Sequence, residues 1–151
     1  MTLRPETICV LTNPASGRNS KDAQAIDLAM QAFGPKATLR RWKQGDDLGR
    51  FVQKAVADGF TTIVAAGGDG TVMGVAHALL GTKANLAVIP LGTFNYFARG
   101  LGLPQEPAAA AKAILAGHPT AVSVGMVNDQ LFLNNASVGI YPTILQEREQ
   151  I

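Results

Sequence analysis

The sequence predicts an α/β protein: a doubly wound, mostly parallel sheet followed by the first strands of a β-rich second lobe. Short apolar runs alternate with segments of helical periodicity along most of the chain. One run, Ile63 to Ala66, leads straight through Gly67-Gly68-Asp69-Gly70-Thr71 into a helical stripe. After His118-Pro119 the alternation stops, and two strand-like runs follow each other with no room for a helix between them.

In chain order, Thr7 to Thr12 is β-rich and ends in the turn-forming loop Asn13-Pro14-Ala15-Ser16-Gly17-Arg18. A helix follows with Ile26, Ala29, Met30 and Phe33 on one face, stopped by Gly34-Pro35. Ala37 to Lys43 is expected to be a second strand. Asp46 or Asp47 then caps a helix carrying Leu48, Phe51, Val52, Ala55 and Val56, ended by Gly59. The nearly continuous apolar run Thr61 to Ala66 predicts a strand buried on both faces. Beyond the glycine turn, Val72, Val75, Ala76, Leu79 and Leu80 repeat the helical stripe, and Leu86 to Ile89 supplies a fourth strand. Pro107 to Ala116 is an alanine-rich helix ended by Gly117. Ala121 to Met126 and Gln130 to Asn134 are expected to pair antiparallel around Val127-Asn128-Asp129. The expected division is therefore 1–118 for an α/β lobe and 119–151 for the start of a β-rich lobe, cut short at Ile151.

Composition narrows the function. The chain has 151 residues, of which 47% are hydrophobic and 16% charged, which suits a packed core and excludes disorder. A net charge of +2 and the lack of a basic stripe argue against nucleic acid as a partner. The short cluster Arg40, Arg41, Trp42, Lys43 reads as a solvated strand face. The single cysteine, Cys9, rules out a disulfide framework and reads as a small buried hydrophobe. With no apolar h-region and no bilayer-length stretch, the expected location is cytoplasmic, with peripheral contact at the inner membrane face.

In a parallel sheet, ligands sit beyond the carboxyl ends of the strands, where three of the loops fall. Ser16, Gly17 and Arg18 either grip phosphate through amides, a hydroxyl and a guanidinium or form a helix-starting turn with an exposed arginine. Gly67, Gly68 and Gly70 let backbone approach an anion at a helix start, and Thr71 either adds a hydroxyl or caps the helix. Asp69 is out of place in a simple anion cradle. Its candidate roles are a Mg²⁺ contact or the acceptor of a substrate hydroxyl proton. Thr93 and Asn95, beyond Gly92, offer a hydroxyl and an amide that either orients a base or ribose or closes a turn. His77 and His118 have no second ligand at metal spacing.

Asn13-Pro14-Ala15-Ser16-Gly17-Arg18, Gly67-Gly68-Asp69-Gly70-Thr71 and Pro90-Leu91-Gly92-Thr93-Phe94-Asn95 together resemble the catalytic domain of the diacylglycerol kinase family, which shares a superfamily with NAD kinases and phosphofructokinases. The resemblance runs from about Thr7 to Leu103 and more weakly from Val122 to Gly139. It implies a two-lobed kinase that uses Mg·ATP to phosphorylate a lipid hydroxyl at a membrane surface. Asn13, Ser16, Gly67, Gly68, Gly70, Thr71 and Thr93 would contact ATP, with Asp69 near the transferred phosphate. The sequence departs from the family where an Asn-Glu pair often follows the threonine, since Met73 and Gly74 stand there. Phe94 and Tyr96 replace a glycine and an aspartate of the third motif, and Tyr141-Pro142 stands where an acid is common. The later Asp-Gly-Glu stretch that carries a general base in many relatives does not occur before Ile151. The alternatives are a NAD kinase, disfavoured by Tyr96 to Pro104, and a non-catalytic nucleotide-binding module. An unfinished β lobe would leave a strand edge open to pairing between chains, so a homodimer is also an expectation.

Overall fold

The computed structural model describes residues 3–13, 20–127 and 130–132. Its centre is a four-stranded sheet of β1 (Ile8–Thr12), β2 (Thr38–Arg41), β3 (Thr62–Gly67) and β4 (Asn85–Pro90), in the order β2-β1-β3-β4. All three pairings are parallel. The connecting helices are α1 (Ser20–Phe33), α2 (Leu48–Ala57) and α3 (Asp69–Leu79), with α4 (Tyr96–Gly100) and α5 (Pro107–Ala116) after the last strand. This is the doubly wound arrangement that the alternation predicts.

Side-chain alternation along the strands divides the core between two faces. Ile8 and Val10 of β1, Val64 and Ala66 of β3 and Ile89 of β4 pack with Ala29 and Phe33 of α1 and Ala110 and Ala111 of α5. The small alanines of α5 let it approach α1 closely. Helices α2 and α3 pack together and against β3. All six residues of β3 are buried, as expected for a central parallel strand.

Local signals set the helix ends. Asp47 accepts the Arg50 amide at 3.2 Å to start α2, and Glu106 accepts the Ala108 and Ala109 amides to start α5. Gly34 and Gly59, at φ of 94° and 100°, turn the chain after α1 and α2, where a side chain would be strained. The stripe on α3 stops at Leu79, since Leu80 lies beyond the helix and is exposed.

Two expectations change in this region. β2 covers only Thr38–Arg41, and the basic cluster beside it is not simply a solvated face. Trp42 is buried and meets Phe51 edge-on at 6.1 Å, while Arg40 lies 5.0 Å over the Phe60 ring and pairs with Asp58 at 2.8 Å. Arg41 and Lys43 are exposed. Aromatic partners from α2 and the following turn, distant in sequence, recruit alternate residues of the cluster. The Arg40 guanidinium holds the Asp58 carboxyl below its usual range.

Burial pushes the Cys9 thiol up to about 11, consistent with a small apolar core residue.

The chain divides into two compact units, Met1–Ala121 and Val122–Ile151. In the second, β5 (Gly125–Val127) and β6 (Gln130–Phe132) pair antiparallel, with Met126 opposite Leu131. β5 starts later than expected, because residues 121–124 are not in a strand. Asn128, Asp129, Asn134 and the stretch through Gly139, Tyr141 and Pro142 lie outside the described residues.

Candidate phosphate-binding site

β1 is followed in sequence by β2 on one side, and the chain then crosses to β3 on the other. The winding therefore reverses between β1 and β3, the position at which an open α/β sheet forms a crevice beyond its strand ends. Thr12 pairs with Ala66 and Gly67 with Pro90, so Asn13, the β3–α3 turn and the β4–α4 loop all leave the same edge of the sheet.

The β3–α3 turn is shaped for close backbone approach. A Cβ on Gly67 would lie 2.8 Å from the Thr71 Cβ and Oγ1, so the half-buried Thr71 side chain folds back over a position only glycine suits. Gly68 is the N-cap of α3 and provides no side-chain cap. The first intrahelical bond there is Val72 N–H to Gly68 O at 3.0 Å. The first-turn amides and the positive end of the helix thus face the crevice without a capping side chain from Gly68, an arrangement that favours an anion.

The β4–α4 loop is packed directly onto this turn. Leu91 donates its amide to Gly67 O at 2.9 Å. A Cβ on Gly92 would stand 2.5 Å from Gly68 Cα and 2.9 Å from Asn95 Oδ1. The two turns touch backbone to backbone.

Asp69 joins them again through its side chain. Its carboxylate accepts the Tyr96 amide at 3.0 Å and the Phe97 amide at 3.3 Å, and so caps α4 from another loop. The N-cap residue of α4, Asn95, provides no side-chain cap to its own helix. Instead the Asn95 carboxamide closes its own loop, accepting the Gly92 amide at 2.9 Å and donating to Gly92 O at 2.8 Å. It also donates to Gln105 Oε1 at 3.4 Å, and Gln105 in turn donates to Leu103 O. Asn95 is 7% exposed and has φ of 53°, the one non-glycine residue with positive φ among the described residues. Asparagine tolerates that left-handed conformation better than most residues.

The structure thus brings together Gly67, Gly68, Asp69, Gly70, Thr71, Gly92, Thr93 and Asn95, with Asn13 at the end of the neighbouring strand. Gly70 and Thr93 are exposed. Ser16, Gly17 and Arg18 lie outside the described residues. His77 and His118 are both exposed, and no cluster of three or more metal-binding side chains occurs among the described residues. Sequence reading did not find α4, Gln105 or the capping role of Asp69. A five-residue helix is too short for a periodic signal, and a cap from 27 residues away leaves no local pattern.

At Gly74, a Cβ would come 2.7 Å from Leu48 Cδ2, so this glycine makes room for the first residue of α2.

The fold and the two interlocked turns define an open α/β lobe with a crevice that suits an anion. The model of the diacylglycerol kinase catalytic domain matches residues 7–127, and the chain belongs to that family. It is 41% identical over 139 residues to a protein of Pseudomonas aeruginosa (strain UCBPP-PA14) named as a YegS-like lipid kinase, covering 90% of this chain and 45% of that one. A YegS-like lipid kinase of Pseudomonas putida is 49% identical over 100 residues, covering 65% of this chain and 33% of its own length. A crystal structure of a diacylglycerol kinase from Bacillus anthracis superposes with a TM-score of 0.73 at 33% identity, over 85% of this chain and 48% of that one. The chain spans about half the length of the proteins it matches.

Proposed function

We propose that this chain is the nucleotide-binding lobe of a lipid kinase that transfers the γ-phosphoryl group of ATP to a lipid hydroxyl. The observation that carries the reading is the backbone contact of Gly68 with Gly92 beside the α3 N-terminus, within a member of this family. A side chain at either glycine would collide with the backbone of the other turn and push the two apart.

In this reading Gly67, Gly68, Gly70 and Thr71 bind phosphate oxygens through the first turn of α3, helped by Asn13, Ser16, Gly17 and Arg18 from the loop after β1. Thr93 supplies a hydroxyl from the other turn. Gly92 and Asn95 hold that turn in place. Phosphoryl transfer depends mainly on positioning and charge neutralisation, which suits a rigid pair of turns. In this reading Mg²⁺ would accompany the nucleotide phosphates, with Asp69 the one carboxylate of these turns that would hold it. When bound, the ion offsets phosphate charge. Asp69 meanwhile keeps both turns in register through its amide contacts.

Partners and location follow from the same reading: a lipid substrate at a membrane surface, with the protein peripheral at the inner face. No helix among the described residues is long and apolar enough to cross a membrane.

The test incubates the full-length protein with γ-labelled ATP, Mg²⁺ and mixed lipid extract, then separates the phases. Label in the organic phase supports the proposal. Label found only in NADP after NAD is added would replace it with a NAD kinase, and ATP binding without transfer would leave a nucleotide-binding module.

A further inference from the structure

The Asn95 carboxamide is buried, and its Nδ2 carries two hydrogens that both need acceptors. One goes to Gly92 O at 2.8 Å, within the same loop, and the other to Gln105 Oε1 at 3.4 Å. Gln105 is thus the acceptor that completes Asn95 from outside the loop. Its own orientation is set in turn, because Nε2 donates to Leu103 O at 3.1 Å and leaves Oε1 turned toward Asn95.

The backbone that presents Gln105 is stiff. Pro104 precedes it and Pro107 follows Glu106, and each proline fixes its own φ and keeps the residue before it extended; Glu106 stands at φ −81° and ψ 131°. Leu103 donates its amide to Ala98 O at 2.8 Å, which ties the segment to α4. On the other side, Glu106 is the N-cap of α5, whose Ala110 and Ala111 lie in the core with α1 and the sheet. Half-buried Gln105 therefore stands between an anchored helix and the loop that holds Gly92 against Gly68. That loop needs holding, since Asn95 sits at φ of 53°, a conformation that costs free energy even for asparagine.

We propose that Gln105 is a positioning residue of the nucleotide site, bracing the Asn95 carboxamide so that Gly92 stays seated on Gly68 beside the first turn of α3. It acts through Asn95 and not on the nucleotide itself. The proposal deepens the nucleotide-binding reading and rests on it. Leucine at position 105 would leave one Nδ2 hydrogen of Asn95 buried without an acceptor, a cost that the loop relieves by shifting away from the α3 turn.

The experiment compares the full chain with Gln105→Leu and Gln105→Glu, well below the unfolding temperature. Calorimetric titration with Mg·ATP gives the affinity, and nitrogen-15 NMR gives the exchange of the Asn95 side-chain amide hydrogens with water. Gln105→Leu should weaken Mg·ATP binding about threefold to tenfold, the range for one lost hydrogen bond, and speed the Asn95 exchange. Gln105→Glu keeps an acceptor facing Asn95, so slow exchange and most of the affinity should return. Asn95→Gly suits the positive φ and removes the carboxamide, and in that background Gln105→Leu should cost no further affinity. Should Asn95→Gly not fold, the exchange and the glutamate rescue still decide. Unchanged affinity in Gln105→Leu, even with a lowered melting temperature, overturns the proposal in favour of a purely structural brace. Lost affinity with Asn95 exchange unaltered, or a further loss in the Asn95→Gly background, overturns it in favour of a direct nucleotide contact. A wild-type chain that binds no Mg·ATP removes the nucleotide reading and the positioning role with it, so the wild-type titration tells the two failures apart.

Discussion

The Asp69 carboxylate accepts the backbone amide of Tyr96 at 3.0 Å across 27 residues of sequence, and the Phe97 amide at 3.3 Å. One side chain, at the first position of α3, thereby caps α4 and fixes the spacing of two turns. Asp69→Asn replaces one accepting oxygen with a donor that faces an amide. The predicted cost is about 1–2 kcal/mol of stability, seen in denaturant unfolding, along with weaker ATP binding as the turns separate. Unchanged stability with lost turnover would assign Asp69 to chemistry alone.

Gly92 and Gly70 should respond in opposite ways to alanine. At Gly92 the new Cβ would collide with Gly68 Cα, and a predicted loss of about 1–3 kcal/mol should show in the unfolding midpoint. At Gly70, within α3, nothing lies within 4 Å of the added Cβ. Gly70→Ala should raise stability by about 0.5–1 kcal/mol, while calorimetric titration shows weaker ATP binding.

Thr62 is buried at the start of β3, and its hydroxyl has no hydrogen-bond partner among the described residues. Thr62→Val keeps a β-branched shape and removes the unsatisfied group. A gain of about 1 kcal/mol is predicted, with ATP affinity unchanged because the position is at the opposite end of the strand from Gly67. Destabilisation would mean that the hydroxyl is satisfied in solution.

Cys9 and Asp58 both link stability to pH. Cys9 has its thiol raised by burial from 9.0 to about 11. Its contribution is complete below about pH 9 and is lost as pH rises through about 11, because the unfolded chain ionises first. The native thiol should resist iodoacetamide at pH near 8 and react quickly in guanidinium. Asp58 is shifted the other way, chiefly by its hydrogen bond to Arg40. The stability it provides is present above the ordinary value of 3.8 and is lost as pH falls through its lowered value. Asp58→Asn should flatten the acid limb of a stability–pH curve.

Much of this architecture could be read from sequence where local signals were sufficient. The stripe Ile26, Ala29 and Phe33 is the buried face of α1, Asp47 caps α2, and α5 runs from Pro107 to Ala116 as expected. The fully buried strand Thr62–Gly67 is equally plain from its apolar run. What escaped depends on distant partners. Trp42 is buried because Phe51 lies across from it, and Arg40 is held by Phe60 and Asp58. The glycine turn reads as a candidate anion cradle and the Gly92 to Asn95 loop as its companion, but the direct packing of that loop as a second wall is not visible in the sequence. Gly92 and Asn95 build that wall through a loop whose hydrogen bonds and positive φ leave only a turn-like signature in the sequence.

Hydrogen exchange with and without Mg·ATP tests most directly whether the β3–α3 and β4–α4 turns form one nucleotide site. The account predicts that amides from Gly68 to Val72 and from Gly92 to Phe97 become protected together, at the same ATP concentration, and that Gly92→Ala weakens both responses. Protection of one turn without the other, or of neither while ATP binds elsewhere on the chain, would contradict it.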